Sequence, residues 1–138
     1  MYYLFPNDME YGRRSLIAKS PRPDGPFEVC NWSRENLSFT EGILEFDPSV
    51  FVDDDGRVYG YWGFECSYAA ELDPNTMCTL KEGTEIVKDM ISSSKSDDIF
   101  RFFEASSIRK IDDKYVFVYS RVTHDGEFGL PSTNYTLA

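Results

Sequence analysis

Three strands rich in aromatic residues recur along the chain at equal spacing. "MYYLFP" begins at Met1, "VYGYWG" at Val58 and "YVFVYS" at Tyr115, an interval of 57 residues both times. Each is a short run rich in aromatic residues, the composition of a strand. A further strand follows each of them: "SLIAKS" from Ser15, "SYAAEL" from Ser67 and "NYTLA" from Asn134. The first two copies continue into "PFEV" from Pro26 and "TEIV" from Thr84. The last two are preceded by "SVFVD" and "SSIRKI", joined to them through the turns "DDDG" and "IDDK". Helical periodicity is almost absent. Segment 88–103 has room for one helical turn, but its serines and aspartates predict a loop.

A four-stranded unit repeated every 40–60 residues or so predicts a β-propeller, all-β, with antiparallel four-stranded blades. A β-sandwich is the competing all-β fold, but it has no reason to repeat at a fixed interval. In a propeller the first strand of each blade lines the central channel, and equivalent positions are related by rotation about that axis. Asp47 and Glu104 are 57 residues apart, each just before such a strand. They are therefore expected to converge on one mouth of the channel. The alternative is a pair of turn or capping acids. Because strands alternate in direction, loops 7–14, 63–66 and 121–133 face the same mouth, as do 30–46 and 88–103. His124 lies in one of these loops, either solvated or in reach of a ligand, and Glu65 lies in another.

Composition narrows the function. Of 138 residues, 41% are hydrophobic and 16% aromatic, enough for a globular core. The net charge of −10 argues against nucleic acid and against anionic membrane surfaces. A neutral substrate such as a sugar is compatible with it. No stretch approaches the roughly 18 apolar residues of a membrane span. Cys30, Cys66 and Cys78 form neither a disulfide framework nor a zinc pattern. Free thiols, and an N-terminus with no leader pattern, lead us to expect a cytoplasmic location. "VDDDGRV" lacks the spacing of a calcium loop and predicts a hairpin turn. Neither metal nor cofactor is expected.

The stretches around the two acids resemble glycoside hydrolase family 43, five-bladed propellers acting mostly on arabinose- and xylose-containing glycans. "SLIAKSPRPDGPF" looks like that family's third-to-fourth-strand segment, with its S-x-x-x-x-G-P-F turn. "FDPSVFVDDDGRVYGYWG" is similar to the segment holding the aspartate that tunes the acid. "FFEASSIRKIDDKYVFVYS" resembles the segment holding the general acid. The resemblance implies that Glu104 is the general acid and Asp47 its pKa modulator, in an inverting hydrolysis of arabinosyl or xylosyl linkages in oligo- or polysaccharides. Phe46 and Phe103, which immediately precede the acids, either wall the sugar site or plug the channel. Glu65-Cys66 is similar to the acid motif of sucrose-cleaving relatives, but it ends a second strand instead of opening a blade. Glu65 is therefore kept only as a substrate contact.

At this repeat length the chain holds about two and a half blades of an expected five. Residues 1–32 end one blade, 46–88 form another and 103–138 begin a third, all within one partial catalytic domain. The family's catalytic base opens an earlier blade, and no residue of this chain takes that role. The chain by itself is expected to be inactive and to self-associate through open blade edges. The alternative reading is a non-catalytic carbohydrate-binding propeller module or a pseudoenzyme fragment.

Overall fold

A computed structural model of the chain describes residues 1–6, 14–130 and 134–138. Most of loop 7–14 and the end of loop 121–133 therefore lie outside the described residues. Four antiparallel sheets account for the regular structure, and no α-helix occurs among the described residues. No helix there is long and apolar enough to cross a membrane.

The first sheet is β1 (Tyr2–Leu4), β2 (Ala18–Ser20) and β3 (Glu28–Val29). A small hairpin follows, β4 (Trp32–Ser33) with β5 (Asn36–Thr40). The third sheet has four strands in chain order: β6 (Ser49–Val52), β7 (Val58–Trp62), β8 (Tyr68–Leu72) and β9 (Val87–Lys88). The fourth holds β10 (Phe102–Ile111), β11 (Lys114–Val122) and β12 (Tyr135–Leu137). One 3-10 turn, Glu127–Gly129, stands in the loop before β12.

The repeated aromatic strands of the sequence are β1, β7 and β11. The strands expected beside them form where the sequence places them. Two points differ from the sequence reading. Segment 30–46, expected as a loop, contains the β4–β5 hairpin. Its two-residue turn, Arg34-Glu35, carries none of the Gly or Asn that normally announce a hairpin. Glu104 also lies inside β10, not ahead of it. Residues 89–101 lie outside the named strands, as expected, while Lys88 belongs to β9 and Phe102 and Phe103 to β10.

Strand β7 shows how the sheets stack. Val58, Gly60 and Trp62 are buried on one face, in a core with Ile17, Leu44, Ala70, Leu72, Met77 and Cys78. Tyr61, on the other face, meets Phe117 of β11, and Phe51 of β6 meets Tyr115. Gly60 is required by closeness: a Cβ there would lie 2.7 Å from Leu44 Cδ2. Leu44 is 1% exposed, so truncation to alanine costs about 2–5 kcal/mol. Loop 41–46, which leads to Asp47, is thus anchored in the core from below. Arg14 pairs with Glu45 in the same loop, and the Ser15 hydroxyl donates to the Glu45 carbonyl.

Hairpins β6–β7 and β10–β11 lie side by side. At their turn end the Tyr115 hydroxyl donates to Asp53 at 2.6 Å and Lys110 Nζ donates to Asp54 at 2.6 Å. The three cysteines are unpaired, Cys78 buried and Cys30 exposed.

Candidate active site

At the other end of the same hairpins stand Asp47 and Glu104. Asp47 precedes β6 with φ 48°, a left-handed conformation that aspartate tolerates better than most residues. Glu104 sits in β10 opposite Ser120, between two register shifts. The next residue, Ala105, has φ 55°. Such bulges re-aim side chains out of the ladder. Continuing the Ser49↔Tyr61 register outward sets Asp47 opposite Gly63, and Gly63 N–H donates to the Phe46 carbonyl at 2.9 Å. Gly63 and Ser120 are again one repeat apart. The two acids thus occupy equivalent places in adjacent hairpins by pairing register as well as by sequence.

Their electrostatics match that placement. Burial pushes the Asp47 carboxyl above the usual aspartate value. Burial also raises Glu104, and the negative charge of Asp47 raises it further. In such a pair the repulsion falls on the group that keeps its proton longer. Of the two, Glu104 is the one raised by the other's charge. A half-buried carboxylic acid beside a carboxylate is the arrangement that proton donation to a leaving oxygen requires.

Asp47 lines an open pocket of about 180 Å³ together with Phe5, Pro48, Ala105 and Ser106. The hydroxyls of Ser49 and Ser106 are buried and make no hydrogen bond among the described residues. These serines are also one repeat apart, each two residues beyond an acid. An orphaned buried hydroxyl costs on the order of 1–3 kcal/mol, which water or a ligand hydroxyl would recover. Sequence reasoning overlooked both serines, although the 57-residue spacing that exposed the acids also marks them.

Phe46 and Phe103 are joined through a residue the sequence reading passed over. The Phe64 ring lies 5.2 Å from Phe46 and 5.0 Å from Phe103, and Phe103 lies 4.5 Å from Tyr135. Four aromatic rings therefore form a continuous row along the acid-bearing end. Phe64 was visible only as a member of loop 63–66; nothing local shows that it falls between the other two.

The remaining predicted residues are engaged by protein groups. Glu65, with φ 58°, pairs with Lys95 at 2.7 Å. The His124 ring contacts Arg101 through Nδ1 at 2.9 Å and the Asp98 carbonyl through Nε2 at 3.3 Å. His124 N–H donates to Glu127 at 2.9 Å. Histidine and arginine there tie the loop after β11 to the approach of β10. Among the described residues no group of three or more His, Cys, Asp or Glu could hold a metal ion.

Comparisons with known proteins identify the family. The profile for glycosyl hydrolases family 43 matches residues 1–136. A beta-xylosidase of Xylanibacter ruminicola is 29% identical over 86% of this chain and 45% of its own. A xylosidase/arabinosidase of Thermoclostridium stercorarium is 34% identical over 77% of this chain and 25% of its own. The structure of an alpha-L-arabinofuranosidase from Clostridium thermocellum superposes with TM-score 0.55 at 26% identity, covering 99% of this chain and 43% of that one. A GH43_1 enzyme from Xanthomonas citri superposes with TM-score 0.56 at 21% identity, over 99% and 48%. The chain spans less than half the length of these relatives.

Proposed function

Because the chain belongs to glycosyl hydrolase family 43, we propose that it is part of the catalytic domain of an inverting glycosidase acting on arabinosyl or xylosyl linkages. Glu104 is the general acid and Asp47 the carboxylate that keeps it protonated near neutrality. The observation that carries the reading is the placement of the two acids at equivalent positions of adjacent hairpins, with the charge of Asp47 raising Glu104. Family membership implies a glycan substrate; the names of the relatives favour pentosides.

In this reading the sheets are blades of a five-bladed propeller: residues 1–32 end one, 46–88 form the next and 103–138 begin a third. Inversion needs a second carboxylate to activate water on the opposite face of the sugar, roughly 6.5–9.5 Å from the acid. In this reading that carboxylate comes from a segment other than the blades assigned here. The Ser106 hydroxyl and the Phe46–Phe64–Phe103 row offer a hydrogen bond and apolar faces to the sugar. The exposed apolar residues Val116, Val118, Tyr135 and Leu137 mark the face on which the rest of the domain packs. The 138 residues alone are accordingly expected to self-associate in light scattering and to leave aryl pentosides intact.

The deciding experiment uses the full-length protein on aryl arabinosides and xylosides, with the first-formed sugar anomer followed by proton NMR. Hydrolysis with inversion supports the reading. Retention, or binding without turnover, would overturn it.

A further inference from the structure

The two acids are attached to different hairpins, and something must fix their separation. One short segment touches both attachments. Gly63 N–H donates to the carbonyl of Phe46, the residue before Asp47, at 2.9 Å. Two residues later Glu65 N–H donates to the carbonyl of Phe103, the residue before Glu104, at 2.7 Å. Between these bonds, the Phe64 ring lies against both Phe46 and Phe103. We infer that Gly63–Glu65 is a strap that sets the spacing of Asp47 and Glu104, with Phe64 as its positioning residue.

The strap is itself immobilised. Gly63 has φ 135°, and a Cβ there would lie 2.0 Å from the Cys66 carbonyl oxygen, so no other residue fits without moving the segment. Glu65 holds φ 58° while its carbonyl accepts from Ser94 N–H at 3.1 Å and its carboxylate pairs with Lys95 at 2.7 Å. Left-handed backbone at non-glycine residues costs about 1–3 kcal/mol and persists only where its surroundings enforce it. Of the eight such residues among those described, three are Asp47 itself, Glu65 on the strap and Ala105 beside Glu104.

The inference rests on the proposed roles of Asp47 and Glu104, and it predicts a change in proton affinity. Truncating Phe64 removes the ring between Phe46 and Phe103. With the strap loosened, Glu104 is expected to become more hydrated and the carboxyls to move apart. Both effects lower the Glu104 pKa, since burial and Asp47 are what raise it. Among the charged groups near it, Glu65 pairs with Lys95, Arg121 of β11 with Glu127, and Arg101 contacts His124, while Arg109 of β10 donates to the Ile108 carbonyl. Lys110, at the far end of β10, is paired with Asp54.

The test uses the full-length protein and the pH dependence of kcat/KM. Phe64→Ala is expected to move the basic limb to lower pH. It should also reduce kcat by about 10²-fold on glycosides with poor leaving groups, the scale of a small misplacement of reacting groups. Phe64→Tyr, which keeps the ring, should restore the wild-type profile. Phe64→Leu serves if the alanine variant fails to fold, and should shift the limb in the same direction. Glu104→Gln is measured beside them. If it spares activated aryl glycosides while Phe64→Ala and Phe64→Leu leave the profile unshifted or shift it upward, the strap is overturned and the acid assignment stands. If Glu104→Gln affects both substrate types equally, the acid assignment itself fails and takes the strap with it.

Discussion

Asp47 and Asp53 flank the same four-residue strand, and their carboxyl groups are pushed in opposite directions. At the turn end, Asp53 is drawn below the usual aspartate value. The Tyr115 hydroxyl is the largest cause, followed by the Asp54 backbone, with Lys110 adding to it. At the mouth end, Asp47 is raised by burial, and Glu104 across from it is raised too. The neighbouring strands β6, β7, β10 and β11 run past both sites, so the difference is not one of architecture. Where a donor or cation meets the carboxylate, the acid becomes a stitch between hairpins. Where burial and a second acid act on it instead, the proton is held more tightly.

The comparison breaks most visibly at Glu104. In the full-length protein, Glu104→Gln is expected to cut kcat/KM on glycosides with poor leaving groups by about 10²–10⁴-fold, with a smaller loss on activated aryl glycosides. Equal loss on both substrate types would make Glu104 as structural as Asp53.

Asp47→Asn should act on the shape of the pH profile. Removing the negative charge lowers the Glu104 pKa, so the acid form is lost earlier and the basic limb of kcat/KM moves to lower pH. A limb that stays in place would assign the raised Glu104 pKa to burial alone.

Stability should separate the two ends by sign. Asp53, with a depressed folded pKa, stabilises the fold above its unfolded pKa, and that stability is lost as pH falls through the folded value. Asp47, with a raised folded pKa, does the reverse: its ionisation opposes folding above the folded value and costs nothing below the unfolded one. Thermal melts at neutral pH should therefore show Asp53→Asn less stable and Asp47→Asn more stable than wild type. Both differences should fade in acid. Shifts of the same sign at neutral pH would show that the two ends do not differ as described.

The smallest effect belongs to Tyr115→Phe. It removes the donor to Asp53 but keeps the edge contact with Phe51. We expect a slight drop in melting temperature and an unchanged pH–rate profile. A shifted profile would couple the turn end to the acids.

Much of this molecule was legible in the chain. The aromatic runs "VYGYWG" and "YVFVYS" and the D-D turns located β6–β7 and β10–β11. The equal spacing then made Asp47 and Glu104 equivalent before any coordinates. The β4–β5 hairpin was missed because Leu37 and Phe39 alternate but remain exposed, and Arg34-Glu35 gives no turn signal. The extension of β10 past Glu104 was missed because bulges flank the acid, and a bulge has no period to read.

What the sequence determined by itself is therefore the set of strands and their repetition. Aromatic-rich runs and turn chemistry are local properties, written within a few residues of where they act. Which acid has its proton affinity lowered and which has it raised was decided only by tertiary structure. Asp53 meets Tyr115 across 62 positions of chain, and Phe64 enters the gap between Phe46 and Phe103 from a different loop. A carboxyl's proton affinity depends on the donors, charges and water within a few ångströms of it, and no pattern along the chain specifies those until the sheets have packed.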